Sequence, residues 1–301
     1  MFGLAVLTVA YQPLLLHRAA PANGAASMIR RSPIPHLLEL EESAAVASQR
    51  EALISTMERS ELKLQLLRLC AACNRGFGAS ALDRLSVDSI ITQLSCLSPF
   101  AEPTAGVAGS DSAERWVGRG FENADWSDGT VMNGPLEGVW RLIYTNATDV
   151  LSLDVNPIAG VGPISQEISL PDGVVNVIEL YPRASSLLPP SMLRTTTRLR
   201  VGTRARARSA TRIGLTFETV GVEQPSLLGF DVSKLLPPLS LPLPRLPGSD
   251  AAGADSDTSP AFFDVAYLDT DLLVVVQNQP GGAFALVRET EDELRMRDPR
   301  R

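Results

Sequence analysis

The chain has 301 residues and 45% of them are hydrophobic, so it is long and apolar enough to bury a sizeable core. Its formal net charge of −7 argues against general nucleic-acid binding. Three cysteines (Cys70, Cys73 and Cys96) are too few for a disulfide framework, which favours a reducing compartment.

The first 38 residues resemble a targeting segment, because the first acidic residue is Glu39. An apolar run over 2–16 followed by small residues over 19–27 is typical of a secretory signal, whereas arginine and serine without acids are typical of an organelle transit peptide. The two in series predict a bipartite presequence over 1–38, as used to reach plastids bounded by extra membranes. A plain disordered N-terminus is the alternative.

A helical hairpin is predicted next, over 39–98. Apolar residues follow a helical period of about 3.6 residues through 39–73. A second helix is expected at about 87–97, with Ser86 as its N-cap. Residues 99–135 are rich in Gly, Ser, Asp and Glu without a clear period, so we expect a linker or long loop there.

The composition predicts no catalytic, cofactor or metal site. Both histidines, His17 and His36, lie in the presumed presequence, which excludes histidine-dependent mechanisms from the rest of the chain. Cys70 and Cys73 form a CxxC pair without a βαβ context or further zinc ligands, so we expect packed thiols. Three carboxylates are expected to cap a turn or pair with an arginine rather than act as acid–base groups or bind metal: Asp269, Asp271 and Glu179.

From Leu136 onwards the pattern changes to the alternation typical of β-strands. Short strands at this spacing, with no helices between them, predict an all-β sandwich or barrel over 136–290. A Leu/Pro-rich stretch over 225–248 and a small, acidic loop over 249–259 form an insert (225–260), and a charged tail covers 291–301. The candidate strands are 138–145, 163–169, 173–181, 194–206, 211–222, 262–268, 271–277 and 282–288.

The segment LEGVWRLIYTN (136–146) shows the clearest strand pattern in the sequence. Small antiparallel barrels hold apolar ligands, so alternate residues of each strand are candidates for a lipid-lined interior. Trp140 could line that cavity or plug its closed end, covered by Arg288 through a cation–π contact. The candidate lining residues are Trp140, Leu142, Tyr144, Val175, Val177, Phe217, Phe263, Phe284 and Leu286.

A run of arginines without acids marks the fourth candidate strand, and five of them share one face. Such a face could dock on anionic lipid head groups, or it could be an ordinary solvated strand face. Nucleic acid is a poor alternative, because no aromatic residues are interleaved for stacking. The five arginines are Arg198, Arg200, Arg204, Arg206 and Arg208.

Several motifs, taken in order, resemble the plastid lipid-associated protein (PAP)/fibrillin family. They are LLRLCAACNRGFGAS (66–80), SPFAEPT (98–104), LEGVWRLIYTN (136–146), GPISQEI (162–168), NVIEL (176–180), YLDTDL (267–272) and GGAFALVRE (281–289). The chain departs from the family where arginines usually follow YLDTDL, since Leu273 and Val276-Gln277 occupy those places.

The resemblance implies an α+β fold, with the N-terminal helical hairpin followed by a lipocalin-like antiparallel β-barrel. It implies a non-catalytic protein without a cofactor that binds apolar lipids (prenylquinone, carotenoid or fatty acid) at plastoglobule or thylakoid surfaces of the plastid. Two alternatives stay open: a structural lipid-droplet coat protein with a filled barrel, and an interaction module that docks on a lipid-biosynthetic enzyme.

Overall fold

The structure is a computed structural model that describes residues 44–110, 133–183, 196–227, 230–232, 235, 238–242, 261–277 and 281–297. The predicted presequence (1–38) and acidic loop (249–259) lie outside these residues, so those assignments and the domain boundaries stay predictions. The chain divides into two compact units, 1–58 and 59–301. Within the described ranges, no helix is both long and apolar enough to cross a membrane.

Two helices precede the sheet. Helix α1 (Ala44–Ala72) begins in the first unit, where the side chains of Leu53, Ile54 and Met57 are exposed. In the second unit, residues 59–72 complete it and α2 (Ala81–Ser95) follows.

Helix α2 begins earlier than the prediction of about 87. Ser80 and Asp83 form a capping box, in which the Asp83 N–H donates to Ser80 Oγ at 3.2 Å and the Ser80 N–H donates to Asp83 Oδ2 at 2.9 Å. Ser86, the predicted N-cap, lies inside the helix and donates to the Leu82 carbonyl at 2.9 Å. The N-terminus of α2 is therefore set by the capping box at Ser80 and not by Ser86.

Ten strands are found in the described residues, and all eight predicted strands are confirmed with small shifts at their ends. The strands are β1 (Gly138–Thr145), β2 (Ala159–Ser169), β3 (Gly173–Pro182), β4 (Thr196–Ala207), β5 (Arg212–Leu227), β6 (Phe230–Asp231), β7 (Leu239–Pro242), β8 (Phe262–Leu268), β9 (Leu272–Gln277) and β10 (Gly282–Arg288).

Besides β6, four short elements were not predicted. Between β1 and β2 lie a one-turn helix, α3 (Thr148–Leu151), and a 3-10 turn (Ser152–Val155), although the strand pattern predicted no helices there. Strand β7 falls in the Leu/Pro-rich stretch that was expected to be polyproline-like, and it pairs with β5. The charged tail begins with α4 (Glu291–Arg297).

The sheet closes on itself. Its order is β4-β3-β2-β1-β10-β9-β8-β5, every neighbouring pair is antiparallel, and β4 also pairs with β5. These eight strands therefore form a ring, while β6 and β7 extend from β5 outside it. The predicted combination of N-terminal helices and an antiparallel sheet is confirmed at this level.

Two hydrophobic cores hold the second unit together. The interior core lies inside the ring and includes Trp140, Leu142, Leu273 and Leu286. The helix-facing core joins residues of α1 and α2 to the outer face of β1, β8, β9 and β10. Cys70 and Cys73 are buried in the helix-facing core, as the packed-thiol prediction expects, and burial raises the pKa of Cys70 to about 12.

The described part of the predicted linker is tied to the ring. Val107 is buried in the interior core, and Thr104 Oγ1 donates to the Ser209 carbonyl at 2.9 Å. The Ala108 N–H donates to the Pro171 carbonyl at 2.8 Å. Residues 103–107 thus cover one end of the ring instead of forming a free connection.

The Asn-Arg-Gly segment after α1 joins the helix to the sheet. The Thr145 N–H donates to the Arg75 carbonyl at 3.0 Å, and the Arg75 guanidinium donates to the carbonyl of Val161 at 2.9 Å and to that of Gly162. Gly76 has φ +99°, and a Cβ there would lie 1.8 Å from the Thr145 oxygen. Only glycine fits this close approach, which explains the residue type.

An ionic cluster clamps α1 to the β8–β9 turn. Lys63 Nζ donates to Asp269 Oδ2 at 2.7 Å and to Asp271 Oδ1 at 2.5 Å, and Tyr267 OH donates to Asp269 Oδ2 at 2.5 Å. Asp269 also caps the turn by accepting from the Leu272 N–H at 2.8 Å. The expected turn cap is confirmed for Asp269, and both aspartates also pair with Lys63.

This cluster predicts a specific pH dependence. Burial alone would raise the pKa of Asp269, but hydrogen bonds involving Asp271, Lys63 and Tyr267 outweigh it and lower the pKa to about 2. Because the folded-state pKa lies below the unfolded value near 3.8, the stabilisation is present above that value and is lost as the pH falls towards 2.

We expect Asp269→Asn to lower the free energy of unfolding at pH 7 by on the order of 1–2 kcal/mol, after allowance for solvent screening. The difference from wild type should shrink as the pH falls below about 4. Urea titrations across this range measure it, with Asp264→Asn as the control, because Asp264 pairs with Arg212 at a more exposed site. Equal losses in both variants at pH 7 would contradict the clamp.

Candidate functional site: the interior of the ring

The strand register identifies the inner face. Trp140 pairs with Gln166, Gln166 with Asn176, and Asn176 with Val201 across four neighbouring strands. Directly paired residues point to the same side of a sheet. Because Trp140 belongs to the interior core, the whole row faces inward.

Most of the predicted lining residues lie inside. Trp140, Leu142, Phe263 and Leu286 are buried in the interior core, and Phe284 packs against it. Leu273, at one place where the resemblance predicts an arginine, is fully buried in the same core. A charge there would be buried among apolar side chains, so leucine suits this interior.

Tyr144 is the first correction to the predicted lining. A β-bulge between Leu142 and Tyr144 shifts the register of β1, so that Tyr144 pairs with Ala285 and packs in the helix-facing core. An extra residue reverses the alternation beyond it. Burial raises the pKa of Tyr144 to about 12, in keeping with its position under the helices.

Val175 and Val177 are the second correction. Val175 pairs with Glu167 and Val177 pairs with Arg200, so both valines lie on the outer face, beside charged side chains. The alternating pattern of β3 correctly assigned its residues to two faces, but it could not show which face lies inside the ring.

One end of the ring is closed by Trp140. Its Nε1 donates to the Leu136 carbonyl at 2.8 Å, and the Arg288 guanidinium carbon lies 4.0 Å from the ring centroid. Arg288 also donates to the carbonyls of Thr270 at 2.7 Å, of Pro135 at 2.8 Å and of Glu137. The predicted contact between Arg288 and Trp140 is confirmed, and the geometry matches a plug rather than a ligand contact.

Burial falls along the inner face away from Trp140. At the closed end, Ile168, Val174 and Ile213 are buried. Further along the same strands, a second set of inner-face residues is only half-buried: Ile164, Gln166, Asn176, Ile178, Leu180, Leu199 and Val220. The interior is therefore filled at one end and accessible to solvent at the other.

The accessible end has an exposed apolar rim, formed by Phe217, Val222, Leu239 and Leu241. Phe217 pairs with Thr203 on the inner face, yet 45% of it is exposed. Val222 pairs with Leu239, and Leu241 with Val220, so the apolar inner surface continues onto β7. Leu239 and Leu241 are 60% and 59% exposed.

Three arginines of the predicted basic face of β4 are paired with carboxylates of neighbouring strands. Arg198 pairs with Glu179 at 3.1 Å, Arg200 with Glu167 at 2.6 Å, and Arg204 with Glu218 at 2.9 Å. Arg208 lies 5.9 Å from the Phe262 ring centroid, and the Arg206 side chain packs beside Gly109. This arrangement favours a solvated strand face over a bare cationic docking surface.

The sequence prediction missed three inner-face polar residues: Gln166, Asn176 and Thr203. Gln166 and Asn176 are hydrogen-bonded across β2 and β3 at 3.0 Å. Thr203 Oγ1 is buried without a hydrogen-bond partner in the described structure. The sequence alone does not show which polar residues of a strand face the interior, because that orientation depends on how the strand pairs with its neighbours.

We expect Trp140→Ala to lower the free energy of unfolding by about 3–5 kcal/mol, because it removes the plug and leaves a cavity. Phe217→Ala is the matched control at the accessible end, where the half-exposed ring should cost about 1 kcal/mol or less. Chemical denaturation measures both. A Trp140→Ala protein of normal stability that only binds lipid less well would contradict the plug.

Comparison with known proteins agrees with this architecture. No curated protein matches the chain. The family model PAP_fibrillin matches residues 122–286, a range that includes β1 and ends within β10. Since the match covers more than half of the chain, the protein belongs to the PAP/fibrillin family.

Proposed function

We propose that the protein is a non-catalytic plastid lipid-associated protein whose ring of strands is a lipocalin-like barrel that carries one apolar lipid. The observation that supports it is the gradient of burial along the inner face. Ile168 and Val174 are buried next to the Trp140 plug, whereas Ile178 and Leu180 on the same wall are half-buried. A barrel that is filled at one end and open at the other is suited to hold a chain-like ligand.

Affinity would come from burial of the hydrocarbon chain. Each methylene transferred from water to the apolar wall contributes roughly 0.8 kcal/mol. The family's association with plastids supports a location at plastoglobules or thylakoids, where such lipids are stored or used.

The exposed rim supports lipid transfer at a membrane or droplet surface. Leu239, Leu241 and Phe217 continue the inner wall outwards, so a lipid could leave an apolar phase without crossing water. Exposed apolar patches of this kind usually mark interaction sites. Contact through the rim would depend little on salt, whereas contact through the arginines would be screened.

An interaction module is the second candidate function. Leu82 and Leu85 of α2 are exposed, and such side chains are suited to a protein partner, for example an enzyme of lipid metabolism. A coat protein with a filled barrel receives less support, because the inner face is accessible at one end.

Lipid extraction and mass analysis of the purified protein separate these functions. One lipid per chain is expected for the carrier. Binding to liposomes without a bound lipid would favour the coat protein. The absence of both a bound lipid and liposome binding would favour the interaction module.

Two single substitutions on β3, one on each face, test the position of the cavity. We expect Leu180→Trp to fill the half-buried inner face and to reduce bound lipid at least tenfold, with little change in melting temperature. Val175→Trp adds the same side chain to the outer face and should leave lipid binding intact. Equal effects of the two substitutions would rule out a ligand inside the barrel.

A further inference from the structure

Three polar side chains occupy the inner wall at the border of its filled end. Gln166 of β2 is paired with Asn176 of β3, in the same row as Trp140. Thr203 of β4 is paired with Val174, which is two residues from Asn176 and belongs to the interior core. The register therefore places all three on the inner face, where the filled, closed end meets the half-buried part of the wall.

Their hydrogen-bonding capacity is only partly used. Gln166 Nε2 donates to Asn176 Oδ1 at 3.0 Å, which occupies one polar group of each amide. The Asn176 NH2 group and the Gln166 carbonyl oxygen have no hydrogen-bond partner in the described residues. If both amides were flipped, the bond would reverse, and one NH2 group and one carbonyl oxygen would still have no partner. Thr203 is only 5% exposed, and its Oγ1 is buried without a partner in that same part of the chain.

In the described ring strands, the wall around these groups carries no charged side chain. Among the described ring strands, Arg288 is the one charged residue that the register places on the inner face. It lies at the closed end, where backbone carbonyls and the Trp140 ring occupy its guanidinium. Within the described strands, this part of the wall thus offers neutral donors and acceptors, but no cation to balance a carboxylate.

Resting on the lipid-carrier function proposed above, we propose that Gln166, Asn176 and Thr203 bind a neutral, oxygen-bearing head group such as a quinone carbonyl or a phenolic hydroxyl. The lipid tail would extend along Ile178, Leu180 and the rim. A buried hydroxyl without a partner is costly, and a head-group oxygen would relieve that cost. A pure hydrocarbon leaves these groups unpaired, and an ionised fatty acid finds no counter-charge.

Three probes, each with a six-membered ring and a decyl tail, test this head-group preference: 2-decyl-1,4-benzoquinone, decylbenzene and 4-decylbenzoic acid. Each competes with the fluorescent probe N-phenyl-1-naphthylamine for the full-length protein, freed of lipid. We expect the quinone to bind at least about tenfold more tightly than the other two, as one or two well-placed hydrogen bonds provide.

Thr203→Val removes the hydroxyl at nearly constant shape. It should weaken quinone binding roughly 3- to 10-fold and leave decylbenzene binding unchanged. Thr203→Ser, which keeps the hydroxyl, should retain the quinone affinity. Thr216→Val on the outer face is the matched control, because Thr216 pairs with Arg204. Melting temperatures verify that each variant is folded, and Asn176→Leu provides an independent variant.

Equal affinities for the quinone and decylbenzene, or tighter binding of the acid, would overturn the head-group proposal and leave the carrier function standing. The same conclusion would follow if Thr203→Val weakened both neutral probes alike. If none of the three probes displaced the fluorescent compound, the carrier function would fail and the head-group proposal with it.

Discussion

The pairing of β4 with β5 is the constraint on which the rest of the structure depends. It extends from Thr196–Ser226 to Ala207–Ile213 and closes the sheet, so that each strand has one face inside and one outside. Strand β5 meets β8 only through Arg212–Gly214 in the described residues. Beyond that contact it diverges from β8 and pairs with β7. The same strand therefore closes the ring and separates from its other neighbour at the accessible end.

Two β-bulges explain why the helices are needed. In β1 the bulge turns Tyr144 outwards, and in β8 a bulge between Val265 and Tyr267 does the same for Tyr267. With Leu272 and Val274, these aromatic rings make the outer face of this side of the ring apolar. Such a face must be covered, and residues of α1 and α2 cover it. The Lys63 cluster then fixes α1 to the turn that follows Tyr267.

The sequence was sufficient to predict eight of the ten described strands, because each depends on a local pattern. The alternation around Trp140 and the arginine in the last strand predicted a contact that the structure contains. Face assignments failed where they depended on non-local pairing. A one-residue bulge reversed Tyr144, and the register of β3 against β2 put Val177 outside. The ion pairs of Arg200 could not be predicted either, because its acidic partners come from other strands.

The outer face of the ring is adapted to water in two different ways. Helices cover the apolar outer face of β1 and β8–β10, whereas arginine–carboxylate pairs such as Arg198–Glu179 make the outer face of β3–β5 polar. In the described strands these charges lie on the outer face, and beyond Arg288 the inner face carries no charged side chain. An outer face of paired charges offers less net charge to an anionic lipid surface than a face of unpaired arginines would. The apolar rim at Leu239 and Leu241 is then the surface best suited to meet a lipid phase, and it leads directly to the accessible half of the interior.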